Sequence, residues 1–128
     1  MKKIIIVIIV IMLIIINSPG LNKMILFKLD NETFRYSNSD GSYTNIETFG
    51  FKDAVFTGES FEMFIREENP KPEMRKLYRI YKINPFIFWR WNYYLTTSIK
   101  YPYKDWESIE KNPQFISRNK PLGYFQEF

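Results

Sequence analysis

The chain has 128 residues and contains neither cysteine nor histidine. Without cysteine there is no disulfide, no thiolate metal site and no lipid attachment through a thiol. Without histidine the usual general base, the commonest metal ligand and the ordinary physiological-pH switch are missing. Ser-His-Asp and Cys-His catalysis cannot be assembled within this polypeptide, nor can a zinc site of the ordinary kind. Glycine is scarce, five residues placed singly, so no Gly-rich phosphate loop is present, and no carboxylates stand at metal-loop spacing. Paired carboxylates are the one remaining catalytic option. The candidates are Glu59, Glu62, Glu67 and Glu68 in one stretch and Asp105, Glu107 and Glu110 in another. They read more simply as dipole partners in first helical turns and as solvated faces. The sequence therefore predicts a non-enzymatic protein with no cofactor and no metal.

What is present is an uninterrupted apolar run, Ile4 to Ile16, behind Lys2 and Lys3 and closed by Asn17-Ser18-Pro19-Gly20. Thirteen helical residues reach about 20 Å, short of a hydrocarbon core of about 30 Å. Length alone suits a signal peptide cleaved near Gly20, for which the lysines would be the n-region. The Ile/Val content favours membrane insertion, and snorkelling lysines can extend the span, so an uncleaved anchor is the leading reading and the cleaved signal the alternative. Pro19 and Gly20 would kink a helix that continued into Leu21–Phe27. Either way the sequence predicts a membrane or signal segment over 1–20 and an extracytoplasmic domain over 21–128. The two lysines place the N-terminus inside. The expected localisation is membrane-anchored, with secretion as the alternative.

The domain is too short to divide. Aromatics form 19% of the chain, and large rings supply a dense core where no disulfide can help. Charge is unevenly placed. Leu21–Glu73 holds six Lys/Arg against ten Asp/Glu, and Met74–Phe128 ten against four. The two halves can attract each other in the fold, or the basic half can meet anionic lipid or an acidic partner.

The predicted fold class is α+β: after the N-terminal hydrophobic helix, one small domain with an antiparallel sheet of three to four strands and two to three helices. Met24–Leu29 reads as a short strand. Glu32–Phe49 reads as a hairpin, with Phe34 and Tyr36 alternating with polar residues around the turn Asn38-Ser39-Asp40-Gly41. Phe51–Phe56 suggests a further strand. Thr57 is the expected N-cap of a helix to Glu68, with Phe56 and Phe61 as its hydrophobic staple. Arg75–Ile83 reads as a central strand. Asn84-Pro85 starts a helix to about Thr97, and a last helix spans about 104–111. A tail over 114–128 carries aromatics that suggest docking. Strands mostly before helices argue against a βαβ sheet.

The densest feature is Phe86-Ile87-Phe88-Trp89-Arg90-Trp91-Asn92-Tyr93-Tyr94-Leu95, followed by Tyr101-Pro102-Tyr103. One helix cannot bury all these rings on one face. Phe88, Trp91 and Leu95 form the expected core stripe, with Trp106 also inside. Trp91→Ala is then expected to destabilise the domain and Trp89→Ala to spare it. That leaves Trp89, Arg90, Tyr93, Tyr101 and Tyr103 as candidate partner-binding residues, of the types enriched at binding hot spots. A membrane-interface belt of Trp and Tyr is the other use of such rings. Interleaved Arg79, Lys82, Arg90, Lys100 and Lys104 also match single-strand platforms, but a translocated domain seldom meets nucleic acid, so none is expected. Two functions follow. One is a membrane-tethered binding or accessory module acting on an envelope protein. The other is an envelope structural protein whose basic aromatic half rests on the membrane surface.

Overall fold

The structure, a computed structural model, describes residues 1–47 and 52–110. Over these residues the chain forms a small α+β fold of five α-helices and a three-stranded antiparallel sheet. Helix α1 spans Lys2–Ile16 and buries none of its residues. Asn17 and Ser18 close it through side-chain bonds to the Leu13 and Ile15 carbonyls. Helix α2, Pro19–Lys28, follows at a bend of 75°. The expected kink is thus present, but Met24–Leu29 is helix rather than strand. Ser18 is extended and Pro19 takes the first helical turn, where its missing N–H costs nothing. Asn22 and Leu26, one turn apart, are the buried residues of α2.

The predicted hairpin is β1, Phe34–Ser37, paired antiparallel with β2, Thr44–Glu47. Its turn is held by its own polar side chains. Asp40 accepts from the Ser42 N–H, Asn38 from the Tyr43 N–H, and Gly41 takes φ 75. Strand β1 is central, with β2 on one side and β3, Tyr78–Arg79, on the other. The expected central strand over 75–83 is therefore two residues at one side of the sheet. On its other side Arg79 bonds to Pro102 and Lys104 and bridges Tyr103 in parallel, while the Ile80 N–H still reaches the Arg35 carbonyl of β1.

Helix α3 is Val55–Glu68 and starts two residues before the expected cap. Asp53 accepts from the Val55 N–H, and Ala54 turns the backbone at φ 61. Thr57 lies inside the helix, and its hydroxyl is committed to Glu47 and Asn45. The expected staple is absent, since Phe56 is exposed while Phe61 is buried. No single helix runs from Pro85 to Thr97. A 3₁₀ turn over Phe88–Arg90 precedes α4, Trp91–Thr96, and a second 3₁₀ turn covers Ser98–Lys100. Helix α5 is Trp106–Glu110. The expected strand over 51–56 is not formed among the described residues: residues 52–54 are loop, and Val55 and Phe56 begin α3. The ends of the expected hairpin and last helix at 48–49 and 111, and the tail, lie outside the described residues.

The core is aromatic. Phe34 stacks on Tyr93 at 3.9 Å between ring centroids, and Tyr43 packs on Phe61 at 4.9 Å. Such pairs add about 0.5–1.5 kcal/mol each beyond the area they bury.

Candidate functional site

Three features meet around the segment 85–93. The first is a buried polar clasp on Asp30, just past the end of α2. Arg90 reaches it with two bonds, Nε to Oδ2 at 2.5 Å and Nη2 to Oδ1 at 2.7 Å. The Trp89 indole N–H donates to Oδ2 at 3.1 Å, and the Glu32 N–H to Oδ1 at 2.9 Å. Lys52 donates to the Asp30 and Glu32 carbonyls, both at 2.6 Å. Burial alone would raise the Asp30 carboxyl, but the bonds from Arg90 and Glu32 and the Arg90 charge hold it below 3.8. Burial pushes the Lys52 ammonium down, with the Arg90 charge adding to it and Asp30 opposing. Both cations lie over the Phe34 ring, Lys52 5.6 Å and Arg90 5.5 Å from its centroid.

The second feature is a hydrogen-bonded chain behind the sheet. Thr57 and Tyr93 both donate to the Glu47 carboxylate, at 2.9 and 2.8 Å. Tyr93 meets Tyr36, Tyr36 meets Tyr81 at 3.0 Å, and Tyr81 meets Ser98 at 2.7 Å. Desolvation drives the Tyr36, Tyr81 and Tyr93 hydroxyls up, so they stay neutral. It also raises Glu47 above 4.5, against the bonds from Tyr93 and Thr57. These groups spend their bonding capacity on one another and lock β1, β2 and α4 together.

The two carboxyls set opposite pH limits. The raised Glu47 contributes stability that is full below 4.5 and lost as pH climbs through its folded value. The lowered Asp30 contributes stability present above 3.8 and lost as pH falls through its folded value. The joint contribution of these two carboxyls therefore peaks in mild acid. Thermal melts should show Glu47→Gln losing less stability than the wild type between that peak and neutral pH. Equal slopes would refute the assignment to Glu47.

The third feature is an apolar groove of about 450 Å³ between α1 and the segment 85–91. Ile9, Met12, Leu13 and Ile16 form one wall, and Pro85, Phe86, Phe88 and Trp91 the other. The segment is irregular, yet several of its polar groups are met from within. Asn17 donates to the Phe88 carbonyl and accepts from the Asn92 N–H. Asn22 donates to the Trp89 carbonyl, Asn84 accepts from the Phe86 N–H, and the Trp91 indole donates to the Pro85 carbonyl. The same bonds from Asn17 and Asn22 fasten α1 and α2 to the domain. Phe86, at 89% exposure, and Leu95 and Ile99, at 70% and 69%, continue the apolar surface beyond the groove. On α2, the face turned away from Asn22 and Leu26 carries the exposed Leu21, Met24 and Phe27, with Lys28 among them.

This reverses the expected faces. Tyr93 and Arg90 are buried and Trp89 packs against the core, so the three do not form an open surface. Tyr101 is half-buried with its ring 5.3 Å from Tyr36. Of the five candidate binding residues only Tyr103 is exposed, lying beside Arg79 and Lys82. The expected core stripe, Phe88, Trp91 and Leu95, faces outward instead. The 3₁₀ turn at Phe88–Arg90 changes the helical phase, and the polar stripe goes inside because Asp30 and Glu47 receive Arg90 and Tyr93. Asp30 and Glu47 are 60 and 46 residues away from those partners, so no local pattern reveals them. A usable signal was the pairing of two apolar surfaces, the N-terminal run and the Phe/Trp stripe.

No group of three or more His, Cys, Asp or Glu able to hold a metal occurs among the described residues. No single helix among them is long and apolar enough to cross a membrane, whereas α1 and α2 meet that measure only as a bent pair. No known protein family, curated protein or solved structure matches the chain.

Proposed function

We propose that this protein is a membrane-anchored, non-catalytic module of the cell envelope whose domain rests on the bilayer outside the cytoplasm. The observation that carries this reading is the apolar groove, because it ties the outward Phe86, Phe88 and Trp91 to the side of α1. If α1 enters the bilayer, those rings enter with it. Ile9 and Ile16 are seven residues apart, so the groove runs about 10 Å along the helix. That depth corresponds to the headgroup–acyl boundary, where Trp rings are favoured. Non-helical backbone survives there only if its polar groups are bonded within the protein, and Asn17, Asn22, Asn84 and Trp91 do this for the Pro85, Phe88 and Trp89 carbonyls and the Phe86 and Asn92 N–H groups.

The bend supports the same placement. With α1 near the membrane normal, a 75° turn lays α2 almost in the membrane plane. Leu21, Met24 and Phe27 then face the bilayer while Asn22 and Leu26 face the domain. Fifteen residues make α1 about 22 Å long. A sunken floor of apolar side chains compensates for the shortfall against a core of about 30 Å. Of the two functions drawn from the sequence, resting on the membrane gains support. A partner site built on Trp89, Arg90 and Tyr93 loses it, because those residues face inward.

The absence of cysteine makes the test direct. Single Phe86→Cys and Glu67→Cys variants of the full chain, spin-labelled in phospholipid vesicles, report depth by oxygen and nickel-chelate accessibility. The label at 86 should favour oxygen and the label at 67 the chelate. Equal chelate access at both positions would contradict the docked arrangement.

A further inference from the structure

The groove beside α1 is open, and its occupant can be argued from its walls. We propose that it holds one acyl chain of a bilayer lipid, an inference that rests on the anchored reading above. The walls are lined almost wholly by apolar groups, and the Trp91 indole N–H is bonded to the Pro85 carbonyl at 2.7 Å. Water there gains no hydrogen bonds from the walls, so where α1 is embedded hydrocarbon displaces it. Leaving it empty would cost the dispersion contacts of both walls. An apolar chain is the remaining filler, and the bilayer supplies it wherever α1 is embedded.

A second helix, from another copy or from a partner, fits less well. Close helix pairing in lipid favours Gly, Ala and Ser, and α1 has none of these, reading KKIIIVIIVIMLIII.

The test uses the full chain in phosphatidylcholine vesicles that carry a diazirine in one acyl chain, with the sites of photolabelling mapped by mass spectrometry. Label is expected on Phe86 and Trp91 as well as on α1. Met12→Trp should fill the groove. It should lower the label on residues 85–91 severalfold relative to label on Ile11 and Ile14, which lie on the opposite side of α1. Met12 is exposed and outside the domain core, so this variant keeps the fold. Label confined to α1, or an unchanged ratio in Met12→Trp, overturns the groove proposal and leaves the anchor intact. Covalent chain-to-chain products through Phe86 or Trp91 assign the groove to a second copy and also overturn it. Absence of label everywhere, together with failure to float with vesicles, removes the anchored reading itself.

Discussion

Arg90→Ala is expected to lose about 3–5 kcal/mol of stability, the cost of removing one partner from a buried ion pair. Asp30 would lose both guanidinium bonds and the positive charge beside it. Lys52 stands 4.0 Å from the carboxylate and points its bonds at backbone carbonyls, so it cannot replace the fork. Single domains hold about 5–15 kcal/mol in all, so this one change consumes a large part of the total. Each kcal/mol moves the melting temperature of a domain this size by roughly 4–8 °C, which predicts a fall of more than about 12 °C. Arg90→Lys should fall between, keeping the charge without the two-pronged geometry. Urea unfolding of the three proteins reads the result. A wild-type midpoint for Arg90→Ala would mean that the clasp contributes nothing.

Tyr93→Ala is the second large effect, expected at about 3–5 kcal/mol as for other buried aromatics. The ring stacks on Phe34, and its hydroxyl links Tyr36 to Glu47. Tyr93→Phe separates the two roles. It keeps the stacking and leaves Glu47 short of a donor, at about 1–3 kcal/mol. Trp91→Ala is the contrast. Trp91 is 38% exposed and loses one bond, to the Pro85 carbonyl, worth about 0.5–1.5 kcal/mol. It should spare the fold while loosening the segment from α1. This ordering is opposite to the one the helical stripe alone suggests. Thermal melts in which Trp91→Ala falls as far as Tyr93→Ala would show that the Trp91 ring is core after all.

The reversal has a plain cause. Two stripes of 88–97 satisfy a helical period, one apolar (Phe88, Trp91, Leu95) and one mixed (Arg90, Tyr93, Tyr94, Thr97). Hydrophobicity by itself favours burying the first. The mixed stripe is buried because each polar head meets a partner: Arg90 meets Asp30, and Tyr93 meets Glu47. A buried charge without such a partner would be prohibitive, so the choice depends on residues far along the chain. Thr57 shows the same effect on a smaller scale. Its type and position suit a cap, but Glu47 and Asn45 claim the hydroxyl, and the helix starts at Val55 instead.

Features set within a few residues were readable from the sequence alone. They include the helix break at Pro19-Gly20, the alternation of Phe34 and Tyr36 in β1 and the Asn38–Gly41 turn. The α+β class of the fold was legible as well. Each rests on steric limits or on a period of side chains, and those act over one or two turns of chain. Only the tertiary structure decided which face of the aromatic segment turns inward, how little of 75–83 pairs, and that α1 and the Phe86–Trp91 segment share a groove. Those outcomes depend on contacts across dozens of residues, such as Asn17 with Phe88 and Asn22 with Trp89, and no local pattern encodes which distant partner a polar group will find.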